Sequence, residues 1–296
     1  MKELVADRLS KRYGNFYAIE DFNLEVEKGQ VVALLGPNGA GKSTFLKIST
    51  NIIHASSGSV KISGINVEDD PMKALEKVGP LVELPEFYPY LNGTEVLNFV
   101  CKVKGAVPEK IKDETRRLSE MLRMNDFMNK KCGYYSRGMK QRLALACAMA
   151  MDPELLILDE PTFGLDPRGM REFVEIIKDI NEKEGKTIIL STHLISEARE
   201  IAHNVIILNH GRKMLEMKNE REMNLLNITF ETKLDVSRLD PEILNVIDLN
   251  GETVTIQRSD NLTNEDIIEY LQKNNMRIKW IEPTNQIERK YLELVE

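Results

Sequence analysis

Apolar runs and helical patterns alternate along the first two hundred residues of the chain. Three runs are apolar almost throughout, which is typical of strands buried on both faces: VVALLG (31–36), LLILDE (155–160) and TIILST (187–192). The segment FNLEVE (22–27) alternates apolar and polar residues, as a half-exposed strand does. Residues 94–151 show three or four helical patterns and no strand pattern. This order predicts an α/β fold around a largely parallel sheet, with a helical insert.

A weaker pattern follows the segment VIILNHGRKM (205–214). It contains three strand-like segments: LNITFET (226–232), TVTIQRS (253–259) and MRIKWIE (276–282). One helix opens at Thr263 with Asp266 as its capping-box partner, and a last helix begins at Gln286. We therefore predict a first domain of residues 1–217 and a small α+β appendage of residues 218–296. The appendage has no cluster of nucleophiles, bases or metal ligands, so we assign it no chemistry.

Charge, apolar content and cysteine spacing argue against several classes of protein. The net charge is −7, and residues 219–296 carry 16 acidic and 9 basic residues, whereas the first 218 residues carry 31 of each. An acidic segment repels nucleic acid and anionic lipid headgroups, which argues against either as its ligand. No apolar run is long enough to cross a bilayer, and the first residues lack the apolar stretch of a signal peptide. The three cysteines have no metal-type spacing, so we expect reduced thiols.

The segment GPNGAGKST (36–44) is the first motif along the chain that indicates a chemical function. It matches the pattern G-x-x-x-x-G-K-[ST] directly after a predicted buried strand and directly before a helix, which is the context of a phosphate-binding loop. Glycines let successive backbone N–H groups turn toward phosphate oxygens, and the helix N-terminus adds a positive dipole end. Lys42 is expected to reach the terminal phosphates, and the Ser43 hydroxyl to ligate Mg²⁺. The predicted nucleotide-binding residues of this loop are Gly36, Pro37, Asn38, Gly39, Ala40, Gly41, Lys42, Ser43 and Thr44.

Two carboxylates end the second apolar run, where open α/β sheets bind ligands. Asp159 is expected to hold Mg²⁺. Glu160 can act as the general base that activates a water against the γ-phosphate, a role that hydrolysis needs and simple nucleotide binding does not. Alone, the pair could be solvated carboxylates at a strand end. Beside a phosphate-binding loop, the catalytic interpretation is favoured.

The segment YSRGMKQR (135–142) lies between these two motifs. With all three motifs in order, residues 1–217 resemble the ATP-binding cassette (ABC) ATPases of membrane transporters. The usual signature of that family reads L-S-G-G-Q, and Ser136 and Gly138 match it, while Arg137 replaces the first glycine. The resemblance implies that the Ser136 hydroxyl contacts a γ-phosphate oxygen and that Gly138 allows close approach of the backbone. The N-terminus of the following helix would face the same anion.

The same resemblance implies roles for three further residues. Tyr13, in KRYGNFYA, occupies the place of an aromatic ring that stacks on adenine, with a core tyrosine as the alternative. His193 follows the third apolar run and would contact the γ-phosphate, as a catalytic residue beside Glu160 and Lys42. Asp166, in FGLDP, lies in the loop that the family uses for contacts between subunits and is included among the nucleotide-site residues.

Glu83 departs from the family pattern, which has a glutamine that reaches Mg²⁺ and the attacking water. The segment ELPEFYP (83–89) resembles the cassettes of bacitracin-resistance exporters and lantibiotic-immunity transporters. We expect Glu83 to contact the nucleotide site and to ligate Mg²⁺, with a solvated loop residue as the alternative. A carboxylate ligates Mg²⁺ more strongly than an amide but adds negative charge beside the triphosphate, so the two effects on turnover oppose each other.

The resemblance implies a P-loop ATPase fold of the ABC type, with a helical subdomain at about 94–151 and the α+β appendage. It implies an ATPase that uses ATP and Mg²⁺, a second cassette in a homodimer, an integral-membrane permease as partner, and no nucleic acid. Such a subunit lies in the cytoplasm, peripheral on the inner face of the plasma membrane. We expect export of an antimicrobial peptide or amphiphile. The alternatives are a soluble ABC ATPase of translation or DNA repair, an exporter of ions, lipids or drugs, and a nucleotide-gated binding protein.

Three aromatic residues, Phe87, Tyr88 and Tyr90, follow Glu83 in a segment rich in turn-forming residues. Clustered aromatic rings are costly in water unless a partner buries them, and each gives a large contact area. We predict that residues 83–90 form the landing site for a short cytoplasmic helix of the permease. The competing interpretation is that these rings pack onto the helical insert as ordinary core.

Overall fold

The chain forms two compact units, Met1–Asn219 and Glu220–Glu296. A computed structural model describes residues 1–219, 225–231, 244–258, 262–274 and 276–295. The strands of the first unit are β1 (Lys2–Tyr13), β2 (Phe16–Glu27), β3 (Val31–Leu35), β4 (Ser57–Ile62), β5 (Ile65–Asn66), β6 (Val78–Leu81), β7 (Leu155–Asp159), β8 (Thr187–Thr192), β9 (Asn204–Asn209) and β10 (Arg212–Lys218). Its helices are α1 (Lys42–Ser49), α2 (Pro71–Ala74), α3 (Gly93–Val103), α4 (Pro108–Met121), α5 (Arg137–Met149), α6 (Pro167–Glu184) and α7 (Ile195–Ile201).

The central sheet of the first unit has the strand order β10-β9-β3-β8-β7-β6. Its neighbouring strands run parallel except at the edge, where β10 is antiparallel to β9. The three apolar runs form β3, β7 and β8 in the middle of this sheet, so the prediction of strands buried on both faces is confirmed. The register places Leu35 beside Thr192, and Asp159 beside Ser191. The carboxyl ends of three central strands therefore meet at one edge, where open α/β sheets bind ligands.

The sequence pattern did not predict most of a second, antiparallel sheet with the order β2-β1-β4-β5. Only residues 22–27 of β2 were predicted, and they alternate buried and exposed positions as expected. Several register shifts interrupt the pairing of β1 with β2, and Arg8 adopts a positive φ of 45°. Bulges of this kind break the two-residue alternation on which a strand prediction depends.

One hydrophobic core joins both sheets around helix α1. The rings of Phe22 in β2 and Phe45 in α1 are both buried, with centroids 4.8 Å apart. Leu34 of β3 and Ile48 of α1 belong to the same core. Burial of each such side chain stabilises the fold by about 1.5–3 kcal/mol. This packing fixes the position of α1, whose N-terminus follows the phosphate-binding loop.

The predicted helical insert consists of α3, α4 and α5 with a short 3-10 turn, and residues 93–149 contain no strand. Helix α3 begins with a capping box formed by Asn92 and Glu95, and α4 begins with Pro108 in its first turn. Ser136 caps α5. Within the part of the chain that the structure describes, no helix combines the length and the apolar character that crossing a bilayer requires.

The second unit is a small α+β structure, as predicted. Its described elements are β11 (Leu225–Phe230), β12 (Asn245–Asn250), β13 (Thr253–Gln257), α8 (Asn264–Lys273), β14 (Ile278–Thr284) and α9 (Gln286–Val295). The strands form an antiparallel sheet in the order β12-β13-β11-β14, on which Ile267 and Leu271 of α8 pack. The capping box of Thr263 and Asp266 opens α8 as predicted. Thr232 and Ser259, at the ends of two predicted strand segments, lie outside the described residues.

Candidate nucleotide-binding site

The loop of residues 36–41 connects the end of β3 to the first turn of α1. At two of its positions the neighbouring backbone leaves no space for a Cβ atom, so only glycine fits. At Gly41, the N-cap of α1, φ is 103°, and a Cβ atom would lie 2.5 Å from the backbone oxygen of Ala18. At Gly36, a Cβ atom would lie 2.4 Å from the backbone oxygen of Leu208. The backbone N–H of Gly36 also donates to the oxygen of Thr192, which anchors the start of the loop to the end of β8. The neighbouring chain therefore holds the loop tightly while its N–H groups at the helix start stay available for an anion.

Lys42, the first residue of α1, folds back over this loop and is only 4% exposed. Its Nζ atom donates to the backbone oxygens of Gly36 and Pro37 at 2.8 and 3.1 Å. It also lies 3.5 Å from Oε1 of Glu160. Burial lowers the pKa of Lys42, and the nearby Glu160 carboxylate opposes that shift. The lysine is thus held against the loop, close to the Glu160 carboxylate.

Asp159 ends β7, and the Ser191 hydroxyl of the adjacent strand β8 donates a hydrogen bond to its Oδ1 atom. This bond orients the carboxylate at the edge of the sheet. Ser43 and Thr44 are the second and third residues of α1, which packs beside β7. Ser43 and Asp159 therefore belong to two elements that pack against each other.

Glu160 stands directly after β7 with a positive φ of 43°, an uncommon conformation for a residue with a side chain. Its backbone N–H donates to the Ser191 hydroxyl at 2.9 Å, which stabilises this conformation. One carboxylate oxygen of Glu160 faces Lys42, and the other lies 3.2 Å from Nδ1 of His193. That Nδ1 atom is buried without a hydrogen-bond partner of suitable angle. Glu160 therefore stands between the lysine of the phosphate loop and the histidine that follows β8.

A buried carboxylate that the sequence analysis missed lies next to this group. Glu197 of α7 is 3% exposed and accepts hydrogen bonds from the hydroxyls of Thr192 and Thr162, the latter at 3.0 Å. Burial raises its pKa to about 7. Thr192 directly precedes His193, and Thr162 lies two residues after Glu160.

The sequence does contain a signal for Glu197. At helical spacing it shares one face of α7 with Ala198 and Ile201, which are both buried. A charged residue in such a stripe indicates a buried polar contact.

Glu83 was predicted to reach Mg²⁺, but in this structure its carboxylate contacts Lys47 of α1 at 2.7 Å. The hydrogen bond from Lys47 lowers the pKa of Glu83. Within residues 1–219, no contact of Glu83 with Ser43 or Asp159 is formed. Glu83 lies beside the helix that follows the phosphate loop, as an ionised carboxylate paired with Lys47.

Tyr13, at the end of β1, is 52% exposed, so the alternative of a core tyrosine is wrong. The Nζ atom of Lys11 lies 5.0 Å from the centroid of its ring. Phe16 and Tyr17, at the start of β2, are exposed beside it. The hairpin between β1 and β2 thus presents aromatic rings to solvent, as stacking on a base requires.

The signature segment lies at the N-terminus of α5. The Ser136 hydroxyl accepts a hydrogen bond from the backbone N–H of Met139 at 3.3 Å, and the side chain is exposed. A Cβ atom at Gly138 would meet only Leu165, at an ordinary contact distance of 3.7 Å. Packing within this chain therefore does not require glycine at position 138. Close approach of another molecule to the backbone would require it.

Ser136 and Gly138 line an open cleft of about 490 Å³. Residues of the loop between β7 and α6 also line it, including Asp166, whose carboxylate caps α6 by accepting a hydrogen bond from the N–H of Gly169. Within residues 1–219, none of the lining residues belongs to the phosphate-binding loop 36–44. The two groups of predicted phosphate contacts therefore lie at separate places on one chain.

The aromatic segment lies on the surface beside the helical insert. Tyr88 and Tyr90 are 65% and 62% exposed, and their rings stack on each other with centroids 5.6 Å apart. Phe87 is half-buried. The competing interpretation of these residues as ordinary core is therefore wrong for the two tyrosines.

Two family models and several known proteins match this chain in sequence. A family model of ABC transporters matches residues 19–163, and a model of an AAA domain matches residues 133–197. The ABC transporter ATP-binding protein YhcH of Bacillus subtilis is 35% identical over 282 residues, which cover 93% of this chain and 90% of that protein. The bacitracin transport ATP-binding protein BcrA of Enterococcus faecalis is 36% identical over 78% of this chain and 73% of its own length. The lantibiotic transport ATP-binding protein SrtF of Streptococcus pyogenes is 35% identical over 75% of this chain and 93% of its own length.

Solved structures are also similar to this chain. A dimeric ATP-binding cassette in a post-hydrolysis state, bound to ADP and phosphate, has a TM-score of 0.66 and 29% identity. A dimeric bacterial ABC transporter cassette has a TM-score of 0.67 and the same identity. Each match covers 73% of this chain and 99% of the other.

Proposed function

The chain belongs to the family of ABC transporter ATP-binding proteins and is an ATPase, and from this premise we propose that two copies of it drive export through an integral-membrane permease. In this proposal each ATP lies between the phosphate loop of one copy and the signature segment of the other. The two copies attach to the permease on the cytoplasmic face of the plasma membrane. Closure of the pair around ATP supplies the work of export.

One observation carries the catalytic part of the proposal: the Glu160 carboxylate lies between Lys42 and His193. From the end of β7, Glu160 accepts the proton of a water that attacks the γ-phosphate. Lys42 stabilises negative charge on the terminal phosphates. His193 contacts the γ-phosphate through its ring, while its Nδ1 atom faces Glu160.

The residues at this edge suit Mg²⁺ carried by the nucleotide. Mg²⁺ prefers hard oxygen ligands and usually keeps several waters beside one or two protein groups. Ser43 and Asp159 provide a hydroxyl and a carboxylate, and the described residues hold no group of three or more His, Cys, Asp or Glu that could cage an ion. Bound there, the ion neutralises developing charge on the phosphates. Glu83, the third proposed ligand, would first have to release Lys47.

The separation of the two groups of phosphate contacts supports the role of a second copy. In one chain, Ser136 and Gly138 line a cleft that residues 36–44 do not reach. A second copy in a head-to-tail arrangement would bring Ser136, Gly138 and the N-terminus of α5 to the γ-phosphate bound by the first. Asp166, which lines the same cleft, would lie at the contact between copies.

Residues 83–90 are the proposed landing site of the permease. Two exposed, stacked tyrosines give a large contact area with few rotatable bonds to restrict. Phe99 and Val103 of α3 in the helical insert are also exposed. Because Glu83 is paired with Lys47 of α1, the loop is tied to the helix that follows the phosphate loop. Nucleotide binding at that helix could therefore move the landing site between two positions.

The proposed cargo is an antimicrobial peptide or amphiphile. Relatives whose names state a cargo, such as BcrA for bacitracin and SrtF for a lantibiotic, support this class. An ion, a lipid or a drug is the alternative, because the path of the cargo lies in the permease. Growth assays in bacitracin and in a lantibiotic, on cells with and without the chain and its permease, distinguish these classes.

Replacement of Glu160 by Gln tests the catalytic assignment. The amide keeps the size of the side chain but cannot accept a proton, so kcat is expected to fall about 100-fold or more. ATP affinity, measured with a fluorescent nucleotide, is expected to stay within about threefold, because Lys42 keeps its contacts to the loop. Glu182→Gln, at an exposed position of α6, is the matched control and should hydrolyse ATP normally. Normal turnover by Glu160→Gln would refute the assignment.

A further inference from the structure

Arg137 occupies the signature position at which the family usually has glycine, and its side chain turns back onto its own chain. Its Nε–H donates to the backbone oxygen of Phe163 at 3.0 Å. The centre of its guanidinium group lies 5.2 Å from the centroid of the Phe163 ring, within the range of a cation–π interaction. One side chain thus binds both the backbone and the ring of a residue in the loop between β7 and α6.

The guanidinium group also lies close to the next residue of that loop. Gly164 adopts a φ of 75°, and a Cβ atom there would lie 2.4 Å from the central carbon of the Arg137 guanidinium. The positive φ by itself favours glycine at this position. The guanidinium group therefore makes a hydrogen bond and a cation–π interaction with Phe163, and it packs closely against Gly164.

Phe163 continues the connection toward the catalytic edge. Its ring meets the ring of His193 edge to face, with centroids 6.2 Å apart and planes inclined by 69°. The Nδ1 atom of His193 in turn lies 3.2 Å from the Glu160 carboxylate. A continuous set of contacts therefore runs from the signature segment to the general base within a single chain.

We propose that Arg137 is a positioning residue that couples the two nucleotide sites of the dimer through Phe163 and His193. This inference rests on the proposed function, in which Ser136 and Gly138 of one copy contact the ATP bound to the other. Arg137 lies between these two residues. Movement of the signature segment onto the partner's ATP then shifts Phe163, and with it the His193 and Glu160 that serve the chain's own ATP.

The proposal predicts a selective defect. Arg137 does not line the phosphate loop of its own chain, so Arg137→Ala should leave ATP affinity of the isolated chain within about twofold. Loss of the coupling should lower kcat about tenfold, because Glu160 is then less well positioned, and should lower the Hill coefficient for ATP toward 1. Phe163→Ala should cause the same defect. Phe163→Tyr, which keeps the ring, should keep the cooperativity of the wild type.

A double-mutant cycle tests whether the two residues act as one unit. If they do, Arg137→Ala has no further effect on kcat in the Phe163→Ala background. If their effects multiply, the residues act independently and the proposal is wrong. Arg116→Ala, which removes a positive charge from α4, is the matched control and should behave as wild type. Both Arg137 and Phe163 are exposed, and thermal unfolding of each variant checks that the fold is kept.

Sedimentation in the Glu160→Gln background separates this proposal from the proposed function. The expected result is an ATP-dependent dimer for Glu160→Gln both with and without Arg137→Ala. If Arg137→Ala abolishes the dimer while Phe163→Ala keeps it, Arg137 contacts the partner's phosphate directly and the coupling proposal is overturned. If Glu160→Gln itself forms no dimer, the proposed function fails first. If the dimer forms but Arg137→Ala has normal kcat and cooperativity, only the coupling proposal fails.

Discussion

At the scale of single residues, Glu197 joins the two loops that carry Glu160 and His193, the proposed catalytic side chains. It accepts hydrogen bonds from Thr162, two residues after Glu160, and from Thr192, directly before His193. The hydrogen bonds favour the ionised form, but burial disfavours it more strongly and raises the pKa to about 7. The carboxyl group therefore changes its charge near neutral pH in the folded chain.

This raised pKa predicts how stability depends on pH. Between the ordinary pKa of 4.5 and the folded value of about 7, the folded chain binds a proton more tightly than the unfolded chain. The free energy of unfolding therefore falls as pH rises through this window, by about 3 kcal/mol for this group. The amide of Glu197→Gln does not titrate, so this fall in the free energy of unfolding should disappear in the variant. Urea unfolding at pH 5 and pH 8 measures the difference.

Glu200→Gln is the matched control, since it removes an exposed carboxylate from the same helix α7. It should show the pH dependence of the wild type. A Glu197→Gln chain that loses as much stability between pH 5 and pH 8 as the wild type would show that Glu197 does not titrate in this window.

Residue types and spacing predicted where the phosphate loop, Asp159 and Glu160 lie along the chain, because each motif depends on local backbone geometry. They did not predict which partners the side chains select. The pairing of Glu83 with Lys47 joins residues far apart in sequence, and so does the contact of Arg137 with Phe163. Such contacts depend on how α1 and α5 pack, which short patterns do not contain.

At the scale of elements, substitutions in the loop of residues 83–90 test the proposed landing site of the permease. Phe87→Ala combined with Tyr88→Ala should leave basal ATP hydrolysis of the isolated chain nearly intact, because neither ring lines the phosphate loop. The same double variant should lose association with the permease and transport, because aromatic anchors dominate contact surfaces of this kind. Co-purification with the permease and ATPase assays measure the two effects.

Trp280→Ala removes an exposed aromatic ring from β14 and serves as the control, which should associate with the permease normally. Normal transport by the Phe87 and Tyr88 double variant would exclude the loop as the docking surface. Loss of ATP binding by this double variant would also exclude the loop as the docking surface, because it would mean that the two rings support the fold.

The elements that the sequence predicted best are those with an uninterrupted pattern. Strands β3, β7 and β8 are continuous apolar runs and were predicted with correct limits to within one residue. Strand β6 was missed because its four residues, VGPL, include a glycine and a proline, which normally argue against a strand. Its pairing with β7 in the central sheet overrides that local preference.

At the scale of the whole molecule, every predicted phosphate contact lies in the first unit. That unit ends at Asn219, whose side-chain amide donates to the backbone oxygens of Arg199 and Ala202 at the end of α7. We therefore predict that a chain cut after Asn219 folds and binds ATP within about threefold of the full chain. Titration with a fluorescent nucleotide measures this. A folded truncated chain without ATP binding would assign the second unit a part in the nucleotide site.

The central claim is that two copies of the chain complete each nucleotide site. The most direct measurement is sedimentation of Glu160→Gln with ATP and Mg²⁺, which should bind ATP without consuming it. The account predicts a species of twice the 33.9 kDa chain with ATP, a single chain without it, and a return to the single chain when Ser136 is also replaced by Ala. A Glu160→Gln chain that binds ATP but stays a single chain at every ATP concentration, even with the permease present, would contradict the account.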